Sequence, residues 1–180
     1  MKTARDETQD DASDRPKAAQ TPVGQLAVWL ATGLGVGWIR PAPGTWGTLA
    51  GLPLAWAIHQ ASLGWQIAAI VALGLVGVPV CTTATRCMGR GKDPGAVVLD
   101  EIASLPIVFL GIDLTARSTG TLVMLLLGFG LHRLFDITKP PPARQLERLP
   151  EGLGVMADDW AAAAYACLAL HAVLWAWRLI

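Results

Sequence analysis

The fold is decided by the stretch Leu63-Gly-Trp-Gln-Ile-Ala-Ala-Ile-Val-Ala-Leu-Gly-Leu-Val-Gly-Val-Pro-Val80. It carries no charge and lacks the alternation of a half-buried strand, so a helix is expected. Further apolar runs cover 48–58, 97–112, 119–135 and 160–177, and another helix is expected over 22–32. Two of the runs reach the roughly 20 residues that span a hydrocarbon core, and the others fall short. Between 33 and 47 the chain is too rich in Gly and Pro for a regular element. The expectation is an all-α fold: a compact bundle of about five to six helices, several of them membrane-embedded. It would occupy residues 21–180, behind a polar tail over 1–20 whose mixed charges and absent periodicity predict disorder.

Composition agrees with a bilayer. Apolar residues make up 53% of the chain and charged residues 16%, with a mean hydropathy of +0.44, against about a quarter charged in soluble domains. The net charge is zero, so nothing points to nucleic acid as a partner. Cys81, Cys87 and Cys167 form no C-x-x-C pair, which argues against a disulfide framework or a zinc site. Four residues separate Cys81 from Arg86, one short of the phosphate-wrapping loop of a cysteine phosphatase. The eight tryptophans, among them Trp29, Trp38, Trp65, Trp175 and Trp177, mostly fall near run ends, as an interfacial belt would place them. Core packing explains some of them equally well.

If the runs alternate across a membrane, one side receives Arg40, Arg86, Arg90, Lys92, Lys139, Arg144 and Arg148, the other Arg117 and Arg178. The positive-inside rule makes the first side cytoplasmic. That side also collects the acids. Asp100 and Glu101 open one run, Asp136 closes the next with Lys139 a turn later, and Asp158 and Asp159 open the last. Clustered carboxylates repel without a counter-charge, which a hard cation such as Mg²⁺ supplies. Arg133, Arg144 and Lys139 would then serve an anionic substrate. The turn Pro43-Gly-Thr-Trp-Gly-Thr48 feeds a helix start, a common anion site. Each feature also has a plain structural reading: Asp158 and Asp159 as a helix cap, Asp136 and Lys139 as a surface ion pair, the glycines as turns. For His59, His132 and His171 packing is the preferred reading. Convergence on one face favours function.

Four blocks carry a resemblance to the phosphatidylglycerophosphatase A family: Gly33 to Thr48 with its Pro41-Ala-Pro-Gly-Thr-Trp-Gly-Thr48; Lys92-Asp-Pro-Gly-Ala-Val-Val-Leu-Asp-Glu101; His132-Arg-Leu-Phe-Asp-Ile-Thr-Lys-Pro-Pro-Pro142; and Gly152-Leu-Gly-Val-Met-Ala-Asp-Asp159. The resemblance implies a Mg²⁺-dependent lipid phosphatase of the bacterial inner membrane, acting at its cytoplasmic face on phosphatidylglycerophosphate to release phosphatidylglycerol and phosphate. Asp100, Glu101, Asp136, Asp158 and Asp159 are then the expected metal and catalytic acids, with Lys139 beside them. Gly44, Thr45, Thr48, Arg133 and Gly154 are the expected phosphate-binding group. Ser104 stands where the family usually has Gly, Thr48 replaces a common Ser, and Ala161-Ala162 replaces a frequent Ala-Gly. No carboxylate is lost.

Other readings fit less well. Asp113-Leu-Thr-Ala-Arg117 lacks the Asp-Gly and downstream Asp of a CDP-alcohol phosphotransferase. An ion transporter would spread acids through the membrane depth, whereas here they gather at one end.

Overall fold

In the computed structural model, which describes residues 21–89, 95–116 and 118–177, the Thr21 hydroxyl accepts from the Gly24 N–H at 3.0 Å. This cap starts α1 (Pro22–Ala31), and a short 3₁₀ turn follows at Val36–Trp38. Then come α2 (Pro43–Ile58), α3 (Leu63–Met88), α4 (Leu99–Val108), α5 (Thr119–Thr138), the single turn α6 (Ala143–Leu146) and α7 (Glu151–Trp177). Among the described residues there is no strand, and the all-α expectation holds. Among the described residues there are seven helices, against about five to six expected; the single turn α6 carries no apolar signal in sequence. The 1–20 tail, Arg90, Lys92, Asp93, Arg117 and Arg178 lie outside the described residues.

Three boundaries differ from the expected ones, each for a local reason. The α2 helix starts at Pro43, inside the supposed turn, because proline at the first helical position needs no N–H partner. The α3 helix runs past Val80 to Met88, ending where Gly89 takes φ 62°, a left-handed cap that glycine tolerates. Most consequential is α7, which begins at Glu151, nine residues before the predicted 160. The Gly152-x-Gly154 pair is therefore not a turn. A Cβ on Gly152 would stand 2.4 Å from the Val78 carbonyl oxygen, so this glycine is what lets α7 lie against α3.

The short helix α4 is the hub. It packs on α2, α3, α5 and α7, and most of it is buried, from Asp100 to Val108. One core gathers Leu105, Val108, Phe109, Ala163, Ala166 and Leu170. A second joins Ala31, Cys81, Ala84, Ala103, Val155 and Met156. Helices α3 and α7 run antiparallel, with Gly77 on Met156 and Gly74 on Trp160. The starts of α2, α4 and α7 and the ends of α3 and α5 consequently share one end of the bundle.

Three helices, α3, α5 and α7, are long and apolar enough to cross a membrane, one more than the sequence runs suggested. Their outer faces expose Val71, Leu75 and Val76 on α3, Leu122 and Leu126 on α5, and Leu168 on α7. Such a surface suits lipid rather than water. Exposed tryptophans mark both ends: Trp65, Trp175 and Trp177 at one, Trp29, Trp38 and Trp46 at the other.

Candidate active site

At the shared end, a cavity of about 260 Å³ is lined by Asp100, Glu101, Arg133, Asp136, Lys139, Asp158 and Asp159. Ala42, Pro43 and Gly44 close it from α2, and Gly95 and Val97 from the entry to α4. Three helices deliver the acids. Asp100 and Glu101 sit in the first turn of α4, where a helix N-terminus favours negative charge. Asp136 lies in the last turn of α5, and Asp158 and Asp159 lie in the second and third turns of α7. Since α7 starts at Glu151, these two aspartates lie within the helix and do not cap it.

The cations are already engaged. Arg133 donates to Asp136 one turn along α5 and stands 3.7 Å from Glu101 Oε1. Lys139 takes a left-handed backbone at the end of α5 (φ 43°), which turns its side chain away from that helix. It donates to Asp158 Oδ2 at 2.7 Å and lies 3.4 Å from Glu147 Oε2. The Asp136–Lys139 surface pair of the plain structural reading does not form: Asp136 pairs with Arg133 and Lys139 with Asp158. Burial alone would lower the Lys139 pKa, but the Asp158 hydrogen bond and charge, with help from Glu147, hold it above the ordinary lysine range.

The remaining acids lie close together. One oxygen each from Asp100, Glu101 and Asp159 lies within 4.8 Å of the other two, and all three residues are buried. Asp100 Oδ1, Glu101 Oε2 and Asp159 Oδ2 have no hydrogen-bond partner among the described residues. Burial pushes the Asp100 carboxyl well above its ordinary range, and the Glu101 and Asp159 charges push it further. Burial raises Glu101 too, against the hydrogen bond from Asp100 and the charge of Arg133. Five carboxyls face two cations here. Buried orphan oxygens of this hardness fit a divalent ion such as Mg²⁺.

Gly44 is a site residue by shape. A Cβ there would lie 2.2 Å from Glu101 Oε1 and 3.1 Å from Arg133 Nη1. Three of the predicted phosphate-binding residues do not line the cavity. Thr45 is half-buried beside it. Thr48 is wholly buried, its hydroxyl donating to the Gly44 carbonyl at 2.8 Å. Gly154 faces the Leu149 carbonyl oxygen, 2.4 Å from where its Cβ would be. No sequence motif marks Glu147, and none announces the buried Ser104–His132 hydrogen bond of 3.0 Å that joins α4 to α5.

The family model for phosphatidylglycerophosphatase A matches residues 29–174. This chain belongs to that family. A phosphatidylglycerophosphatase A from Haemophilus influenzae is 40% identical over 153 residues, covering 83% of this chain and 89% of the relative. One from Escherichia coli is 33% identical, covering 83% and 84%. A Bacteroides thetaiotaomicron protein named as a putative phosphatidylinositol-3-phosphatase is 32% identical, covering 83% and 94%. No solved structure matches the chain. The region shared with the phosphatidylglycerophosphatase A family takes in every acid and both cations of the cavity, so the chain is a phosphatase by its kinship.

Proposed function

We propose that this chain hydrolyses the terminal phosphomonoester of phosphatidylglycerophosphate, with Mg²⁺, at the cytoplasmic face of a bacterial inner membrane. The observation that carries it is the buried trio Asp100, Glu101 and Asp159 beside Arg133 and Lys139, at the mouth of a bundle with lipid-facing helices.

Asp100, Glu101 and Asp159 would hold the metal, with Asp136 and Asp158 completing the acidic wall. When bound, the metal ion polarises the phosphoryl group and stabilises charge on the departing glycerol oxygen. The residues do the rest. Arg133 and Lys139 place positive charge where the phosphoryl oxygens gather it, and their carboxylate partners fix them there in advance. Gly44 leaves the space next to Glu101 and Arg133 open. A cavity of about 260 Å³ lies just below the roughly 300 Å³ at which drug-sized pockets begin. It suits a phosphoglycerol head and leaves the acyl chains in lipid. Hydrolysis breaks the bond from phosphorus to the glycerol oxygen, which gains a proton, while water supplies the oxygen added to phosphorus.

A neighbouring reading is a phosphatase for another lipid headgroup, favoured by the relative named for phosphatidylinositol 3-phosphate. Purified protein in detergent, supplied with Mg²⁺ and offered both lipids, separates the two: the proposal expects faster phosphate release from phosphatidylglycerophosphate, and the reverse preference would replace it.

A further inference from the structure

Beside the carboxylate cavity lies a second hollow of about 220 Å³, bordered by Trp38, Arg40 and Met88. Pro43 and Gly95 line both, so the two adjoin at the start of α2. No side chain caps that helix start, and its positive end adds to the pull on an anion. Arg40 is the one charged residue bordering the second hollow among those described. It is exposed and enters no ion pair among the described residues, whereas Arg133 and Lys139 are each held by carboxylates. Past it the surface turns apolar, with Leu34, Trp38 and Ile39 exposed by 60%, 55% and 44%.

The lipid proposed above carries two phosphates: the monoester to be cleaved and, one glycerol away, the diester leading to the acyl chains. With the monoester against the carboxylate cavity, the diester needs its own counter-charge, because an unpaired anion at an apolar edge is costly. We infer that the hollow around Arg40 is a subsite for that diester phosphate, which makes Arg40 a specificity-determining residue. The order monoester cavity, Arg40, apolar surface follows the order of groups along the lipid. The inference rests on the substrate reading above.

The test uses the full chain in neutral detergent micelles with Mg²⁺, comparing wild type with Arg40→Gln and Arg40→Lys. Two inhibitors each carry one half of the recognition: phosphatidylglycerol has the diester alone, and inorganic phosphate mimics the monoester alone. Arg40→Gln should weaken phosphatidylglycerol inhibition and raise KM for the lipid by roughly ten-fold, the scale of one lost charge-assisted hydrogen bond. Its kcat and its inhibition by inorganic phosphate should stay within about two-fold of wild type, as for a surface change. Arg40→Lys should recover part of the loss. Equal phosphatidylglycerol inhibition in both proteins, or none in the wild type, would overturn the subsite. So would an equal weakening toward inorganic phosphate, which would assign Arg40 to the carboxylate cavity. An effect present only on anionic bilayers would assign it to the membrane surface. A wild type that releases no phosphate from the lipid removes the functional reading itself, which is separable from turnover with unaltered inhibition.

Discussion

Lys139 Nζ lies 2.7 Å from Asp158 Oδ2, tying the end of α5 to the body of α7 across the mouth of the carboxylate cavity. The pair is 19 residues apart in the chain and exists because Lys139 leaves the helix in a left-handed conformation. It places a fixed positive charge beside the other acids, of which Glu101 lies 3.7 Å from Arg133 while Asp100 and Asp159 enter no ion pair among the described residues.

Lys139→Met should therefore cost both stability and activity. Removing one partner of a fully buried pair costs roughly 3–5 kcal/mol. The loss here should fall short of that, since 26% of the Lys139 side chain remains exposed. Phosphate release should drop by at least about a hundred-fold, the lower range for losing a preorganised charge at a reacting group. Thermal unfolding in detergent beside phosphate release checks both. Full activity in the variant would remove Lys139 from the account.

Acidity gives a second expectation. Burial raises the folded-state pKa of Asp100 and Glu101, so between the unfolded carboxyl value of about 4 and those raised values the native state binds more protons than the unfolded chain. Stability of the metal-free protein should then fall as pH rises through that window. A divalent ion that binds the ionised trio offsets the cost, so Mg²⁺ should flatten the slope. Melting temperatures from pH 5 to 8, with chelator and with Mg²⁺, decide it. A metal-free protein equally stable across the range would contradict the buried-acid reading.

Gly44→Ala tests shape alone. The added Cβ falls on Glu101 Oε1 and close to Arg133, both ends of side chains that can shift. The fold should survive with little change in melting temperature. Activity should fall by about a hundred-fold, the cost of an ångström-scale misplacement at a reacting centre. A variant as active as wild type would show that the Glu101–Arg133 geometry is not used.

Two contacts between α3 and α7 should behave oppositely. Arg86 and Glu151 form a two-pronged ion pair of 2.7 and 2.8 Å, yet both side chains are largely exposed, and such pairs are worth about 0–1 kcal/mol. Arg86→Ala should barely move the melting temperature. Gly152→Ala forces a methyl onto the α3 backbone and should destabilise by roughly 1–3 kcal/mol. The reverse order would mean that the helices are held by charge.

The helical fold was legible because uncharged runs such as 63–80 admit few alternatives, and the convergence of the acids was legible because alternating runs bring segments distant in sequence to one end. Gly152 and Gly154 read as turn formers in sequence, but in a tightly packed bundle they are contact points, and this hid nine residues of α7. Helical spacing paired Lys139 with Asp136; the left-handed turn at Lys139, which no residue type announced, gave it to Asp158. Thr48 lies in a glycine-rich motif that suggests phosphate, yet its hydroxyl serves the helix backbone. Arg40 counted only toward membrane orientation until the second hollow placed it beside the first.

The buried trio Asp100, Glu101 and Asp159 is proposed as a metal-dependent phosphatase centre. Phosphate release from phosphatidylglycerophosphate by purified wild type and Asp159→Asn, each with Mg²⁺ and with chelator, tests it most directly. Turnover is expected from the wild type with Mg²⁺ alone, and none above background from the folded variant. Full turnover in chelator, or an Asp159→Asn protein as active as wild type, would contradict it.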